Sequence, residues 1–263
     1  MGLFQKKTPI DKEWEKLVKQ ESKFLAARAE KKDSLLNQKL AAIVPEKLQG
    51  TLDAAFAKAF GLIFDKGTGV IEKTYKKEEL EKEFKINQYT EEVKKDGKSL
   101  RKFSKKAKQS GNVNLLVSGV SGVGMGVLGI GMPDIPVFIG MVLKSIYEIA
   151  LNYGYQYDTE EEQAFILMLI EGAVSYGDEM LKINQNVDEF MKTGALPESY
   201  DRETQIKKTS ASLSKELLYM KFLQGVPVVG AVGGAYDAVY VKQITEYANM
   251  KYRRRFLMSK RHA

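Results

Sequence analysis

From Gln109 to Pro133 the chain runs 25 residues without a formal charge, QSGNVNLLVSGVSGVGMGVLGIGMP, and seven glycines fall within it from Gly111 onward. Glycine inside a helix costs up to about 1 kcal/mol relative to alanine, so a segment this rich in it needs close packing in return. A second uncharged segment, LQGVPVVGAVGGAY, precedes Asp237. Each segment sets a proline just before an apolar stretch, and Gly122 with Gly126, like Gly230 with Gly234, are four residues apart. Small residues at that spacing let two helix backbones approach closely. The expectation is a pair of glycine-faced helices packed against each other in the centre of the fold.

The remaining sequence reads as helix nearly throughout. Thr8-Pro9-Ile10-Asp11 combines a capping residue, a proline at the first helical position and an acid two further on, a helix start. Trp14, Leu17, Val18, Glu21, Phe24 and Leu25 follow at mostly three- and four-residue spacing. Asp158-Thr159-Glu160-Glu161 reads as another start, with Glu161 in the capping-box place, and Gly154 closes the helix before it. Alternating patterns are scarce. The fold class is therefore all-α, a compact multi-helix domain with two central glycine-rich helices. Residues 1–40 read as a helical extension, 41–258 as the main domain and 259–263 as a basic tail.

Charge is unevenly spread. Residues 1–112 carry 26 basic and 17 acidic groups, a balance of +9, whereas residues 113–250 carry 9 and 17, a balance of −8. The last thirteen residues hold six basic groups and no acid, concentrated at Lys251, Arg253, Arg254 and Arg255. Basic ends of this kind attract anionic surfaces, and this cluster is the candidate for contact with an anionic membrane. Nucleic acid is the less favoured partner, because no reading helix, zinc module or aromatic strand accompanies the lysines.

Chemistry is harder to find. The chain has no cysteine and a single histidine, His262, which removes thiolate chemistry and leaves no Ser-His-Asp set. Gly124-Met125-Gly126-Val127-Leu128-Gly129 satisfies the dinucleotide pattern, but Gly131 and Pro133 interrupt the helix it would have to open, so no cofactor is expected. The acids Asp158, Glu160, Glu161 and Glu162 lack the spacing of a calcium loop, and no metal is expected. Asp134 and Asp237 each lie in an otherwise uncharged, glycine-rich setting. Asp134 reads as the cap of the helix that begins at Ile135, or the two acids read as a paired-carboxylate centre of hydrolase type. The stretch from 109 to 133 is long enough to cross a membrane, but its glycines and the following Asp134 favour a buried core or a shallow hairpin.

Two blocks carry a family resemblance: GMPDIPVFIGMVLKSIYEIALNYGYQYDTEEEQAFIL and GVPVVGAVGGAYDAVYVKQITEYANMKYRRRFL. The chain resembles the EcsC family of bacterial proteins through Asp134-Ile135-Pro136, Tyr153-Gly154, Pro227, Gly230, Gly233 and Arg253 to Arg255. The family's pattern favours an asparagine-like residue where this chain has Asp237, which counts against a shared two-acid mechanism. The resemblance implies a cytoplasmic auxiliary protein, peripheral at the inner face of the cell membrane and linked by gene neighbourhood to an ABC-type exporter. It implies no defined activity. Asp134, Pro136, Tyr153, Gly154 and Asp237 are the candidate functional or structural core. An anionic membrane or a membrane-protein partner is the expected contact.

Overall fold

The computed structural model of the protein describes residues 7–31, 47–65, 69–117, 134–224 and 230–262. Side chains are described for these except Val70, residues 111–117, Asp134, residues 219–238 and His262. The helices are α1 (Pro9–Ala26), α2 (Lys47–Asp65), α3 (Gly69–Glu72), α4 (Lys77–Lys94) and α5 (Gly97–Val117). They continue with α6 (Asp134–Asn152), α7 (Glu160–Val174), α8 (Gly177–Thr193), α9 (Arg202–Gln224) and α10 (Gly230–His262). No strand occurs among the described residues. The protein is all-α.

Two helices are apolar almost all round, and that places them inside. On α6, Ile135, Phe138, Ile139, Val142, Leu143, Ile146 and Tyr147 are all fully buried. Helix α6 packs against α2, α3, α4, α5 and α10. On α7 the run from Ala164 to Leu167 is buried on every face, and this helix meets α8, α9 and α10. Helix α10, 33 residues long, extends about 50 Å at the helical rise and joins both neighbourhoods. It touches α1, α5, α6, α7 and α9. The buried side chains form one continuous core.

Local sequence explains the helix boundaries. Thr8 Oγ1 accepts from the Asp11 N–H at 3.1 Å while the Asp11 carboxylate accepts from the Thr8 N–H at 3.2 Å, the reciprocal cap expected at this start. The start of α7 departs by one residue from the expected box. Thr159 is the cap and accepts from the Glu162 N–H at 3.2 Å. The Glu162 side chain does not return to the cap, because it is drawn to Arg255. After α6, Gly154 takes a left-handed backbone, φ +83°, and a Cβ there would overlap the Phe84 ring at 2.3 Å. Both facts exclude a side chain at this position.

Of the expected glycine pairing, Gly230 and Gly234 lie at the start of α10, while Gly122 and Gly126 fall in residues 118–133, outside the described residues. Among those described, the stretch long and apolar enough to cross a membrane is Ile135–Asn152, and it is mostly buried, as a core helix is.

Candidate functional site

The basic cluster at the end of α10 faces inward. Lys251 is 1% exposed and Arg253 7%, although both are long cationic side chains. Lys251 Nζ lies 2.8 Å from Asp188 on α8 and 3.4 Å from Glu21 on α1. Arg253 meets Glu13 at 2.6 Å, and Arg254 meets Glu21 at 2.5 Å. Arg255 binds both oxygens of Glu162, at 2.7 and 2.9 Å, and its guanidinium lies over the Tyr155 ring at 4.0 Å. The Tyr252 hydroxyl donates to the same carboxylate at 2.6 Å. Each of the four cations expected to meet an anionic membrane is thus paired with an acid within the molecule. A buried cation without a partner costs several kcal/mol, so acids placed opposite α10 decide the outcome.

The acids differ in how that environment treats them. Burial pushes the Glu21 carboxyl above its ordinary range, with Lys251 and Arg254 pulling the other way and losing. Burial also acts on Glu13, but the Lys16 hydrogen bond and the Arg253 charge outweigh it and hold the carboxyl below that range. For Arg255, desolvation would favour loss of the proton, and the facing Glu162 more than restores it. Sequence reading did not single out Glu13, Glu162 or Asp188 as partners. The available signal was Glu21, an acid at an apolar-face position between Leu17 and Phe24.

A different set of cations faces solvent. On α1, Lys12, Lys16, Lys19 and Lys23 recur every three or four residues and are all exposed. On α5, Lys98, Arg101, Lys102, Lys105 and Lys108 do the same. The two helices run side by side in the same direction: Pro9 lies beside Gly97, and Glu13 Oε1 is 3.5 Å from Arg101. Lys16 bridges to Glu13 at 2.9 Å. Lys12, Lys19, Lys23, Lys98, Lys102, Lys105 and Lys108 have no ion-pair partner among the described residues.

At the far end of this cationic face a cleft of about 590 Å³ opens between α1, α5, α6 and α10. Its apolar wall is Phe24, Ala27, Ala107, Ile149 and Met250. Lys23, Arg28, Lys108 and Lys242 surround it, with Glu246 as the acid among them. Arg28 is fixed rather than free. Its guanidinium stacks 3.7 Å above the Phe24 ring and Nε donates to the Ala173 carbonyl at 3.2 Å. Asn249 lines the same cleft, and its Oδ1 accepts from the Tyr153 hydroxyl at 2.9 Å.

The remaining candidates are placed as follows. Tyr153 is buried and acts through that bond to Asn249, while Gly154 supplies the turn. Pro136 is exposed in the first turn of α6. Asp134 begins α6 and Asp237 lies on α10, but their side chains, and that of His262, are outside those described, so the two-carboxylate pairing falls outside as well. No group of three metal-binding side chains occurs among the described residues. Two polar knots remain. Tyr75 donates to the Tyr157 hydroxyl at 2.5 Å and Tyr157 to Glu72 at 2.6 Å. Ser214 donates to Asp53 beside Gln49.

The chain matches the EcsC protein family over residues 11–257 and belongs to it. The match takes in α1 as well as α10, the two helices joined by the buried ion pairs. No curated protein sequence and no solved structure is significantly similar to the chain.

Proposed function

We propose that this protein is a membrane-peripheral auxiliary protein that docks on anionic lipid at the inner face of the cell membrane through the exposed cations of α1 and α5. The observation that carries this reading is the contrast in pairing: the arginines of α10 have acids, whereas Lys12, Lys19, Lys23, Lys98, Lys102, Lys105 and Lys108 have no ion-pair partner among the described residues. Exposed lysines repeated along two neighbouring parallel helices supply several charges together rather than isolated ones. Near an anionic leaflet each is worth about 1 kcal/mol, so several together can hold a protein that one could not. A scaffolding role beside a membrane-protein partner fits the same surface. Among the described residues the hydrolase alternative gains no supporting group, and nucleic-acid binding has the cations without a reading element.

Co-sedimentation with vesicles tests the proposal. The wild type is expected to pellet with anionic vesicles at low salt, to stay in solution with neutral ones, and to lose binding as salt rises. Replacing Lys12, Lys19, Lys98, Lys102 and Lys105 by glutamine is expected to abolish pelleting. A wild-type protein that remains in the supernatant with anionic vesicles at low salt overturns the reading.

A further inference from the structure

The cleft between α1, α5, α6 and α10 has a construction that the exposed lysines lack. Its most buried cation is Arg28, which is anchored from behind. The Phe24 ring under its guanidinium is itself stacked on Tyr247, with ring centroids 5.1 Å apart. The single hydrogen bond to Ala173 uses Nε, and no carboxylate lies within ion-pair distance of the Nη groups among the described residues. A guanidinium held at its back with its fork unused presents two parallel donors, the geometry that binds a phosphate. Asn249 is the second built element. It is 8% exposed, its oxygen is taken by Tyr153, and its amide N–H groups have no partner among the described residues. Lys242 and Lys108 also line the cleft, and the exposed Glu246 adds one acceptor to it.

We infer that this cleft binds the head group of one anionic glycerophospholipid. The phosphate sits against Arg28, Lys242 and the Asn249 amide, and the first chain methylenes lie on the half-buried Phe24 and Met250. The assignment rests on charge complementarity at the rim joined to an apolar wall, which a free phosphate would leave unused. Its volume, about 590 Å³, lies within the range of small-molecule sites. A glycerol or serine head group brings hydroxyl or ammonium donors, and Glu246 is placed to accept them. This deepens the membrane reading: the lysines of α1 and α5 would bring the protein to the surface, and the cleft would take a single lipid out of it.

Short-chain phosphatidylglycerol below its critical micelle concentration separates the two ideas, because no surface is present. Binding to the full chain is followed by calorimetry and by a rise in melting temperature. Saturable binding of that lipid is expected, with inorganic phosphate and short-chain phosphatidylcholine each at least tenfold weaker. Arg28→Ala is expected to weaken the lipid at least tenfold, and Arg28→Lys to restore part of it. Ala27→Trp fills an exposed position in the cleft without removing a contact, and is expected to block binding while the melting temperature of the free protein is unchanged. If the wild type pellets with anionic vesicles yet ignores the monomeric lipid, the cleft assignment is overturned and surface docking stands. Phosphate binding as tightly as the lipid, or Ala27→Trp binding it normally, overturns the assignment too.

Discussion

The two cationic regions of this protein are both runs of basic residues on helices, and they behave as opposites. On α10, Lys251, Arg253, Arg254 and Arg255 are packed among aromatic rings and four acids from α1, α7 and α8. On α1 and α5, Lys12, Lys19, Lys102 and Lys105 stand in solvent without ion-pair partners among the described residues. Density of positive charge along a sequence therefore says little about where that charge points. What decides is whether acids far away in the chain are folded against it. Arginine predominates inside and lysine outside, in keeping with arginine's weaker hydration and its forked geometry for carboxylates.

The sharpest way to break this comparison is to remove an acid from the interior. Glu162→Ala leaves the Arg255 guanidinium and the Tyr252 hydroxyl without their shared partner in a water-poor site. A loss of about 3–5 kcal/mol is expected from chemical denaturation. A loss no larger than that of an exposed charge would mean the cluster is hydrated after all.

Glu13 and Glu21 allow a finer test, since their surroundings act on them in opposite senses. The Glu13 carboxyl is depressed, so its contribution is fully present above the usual glutamate value of 4.5 and is lost as pH falls through its lowered one. The Glu21 carboxyl is raised, so its contribution is present below that value and is lost as pH rises through the raised one. Glu13→Gln is expected to cost about 1.5–3 kcal/mol at neutral pH and to flatten the acid limb of the stability profile. Glu21→Gln should cost less and flatten the limb above it. Equal profiles for the two variants would contradict the assignment.

The smallest effect belongs to the exposed face. Glutamine at Lys12, Lys19, Lys102 and Lys105 is expected to change stability by no more than about 0.5 kcal/mol per site. Urea titration of these variants, read beside that of Glu162→Ala, sets the two regions side by side.

Much of the fold was legible because helices declare themselves locally. Thr8 to Asp11 names its own start, and Gly154 names its own stop. The one-residue shift at α7 shows where local reading ends: Glu162 had two possible uses, and only the tertiary structure, by bringing Arg255 to it, selects one. The lysine faces were equally open to reading, since spacing at three and four residues is all they require. The cleft was not. Its walls come from α1, α5, α6 and α10, and nothing in Phe24, Ile149 or Met250 alone sets them apart from ordinary core positions. For the α10 cluster, sequence supplied the cations and the structure supplied the acids.

The bond between Arg253 and Glu13 spans 240 residues of chain. During synthesis that separation is a delay. At about 5–20 residues per second, α1 leaves the ribosome on the order of 10–50 s before its partner exists. Over that interval Leu17 and Phe24 have no α10 to cover them, and Glu13 and Glu21 have no cations. Pairings between distant segments also slow the search for the native state, because the intervening loop must be closed before any contact rewards it. The nascent chain is consequently most open to misassembly and to chaperones at its first helix, and completion of the last helix is the event that seals it.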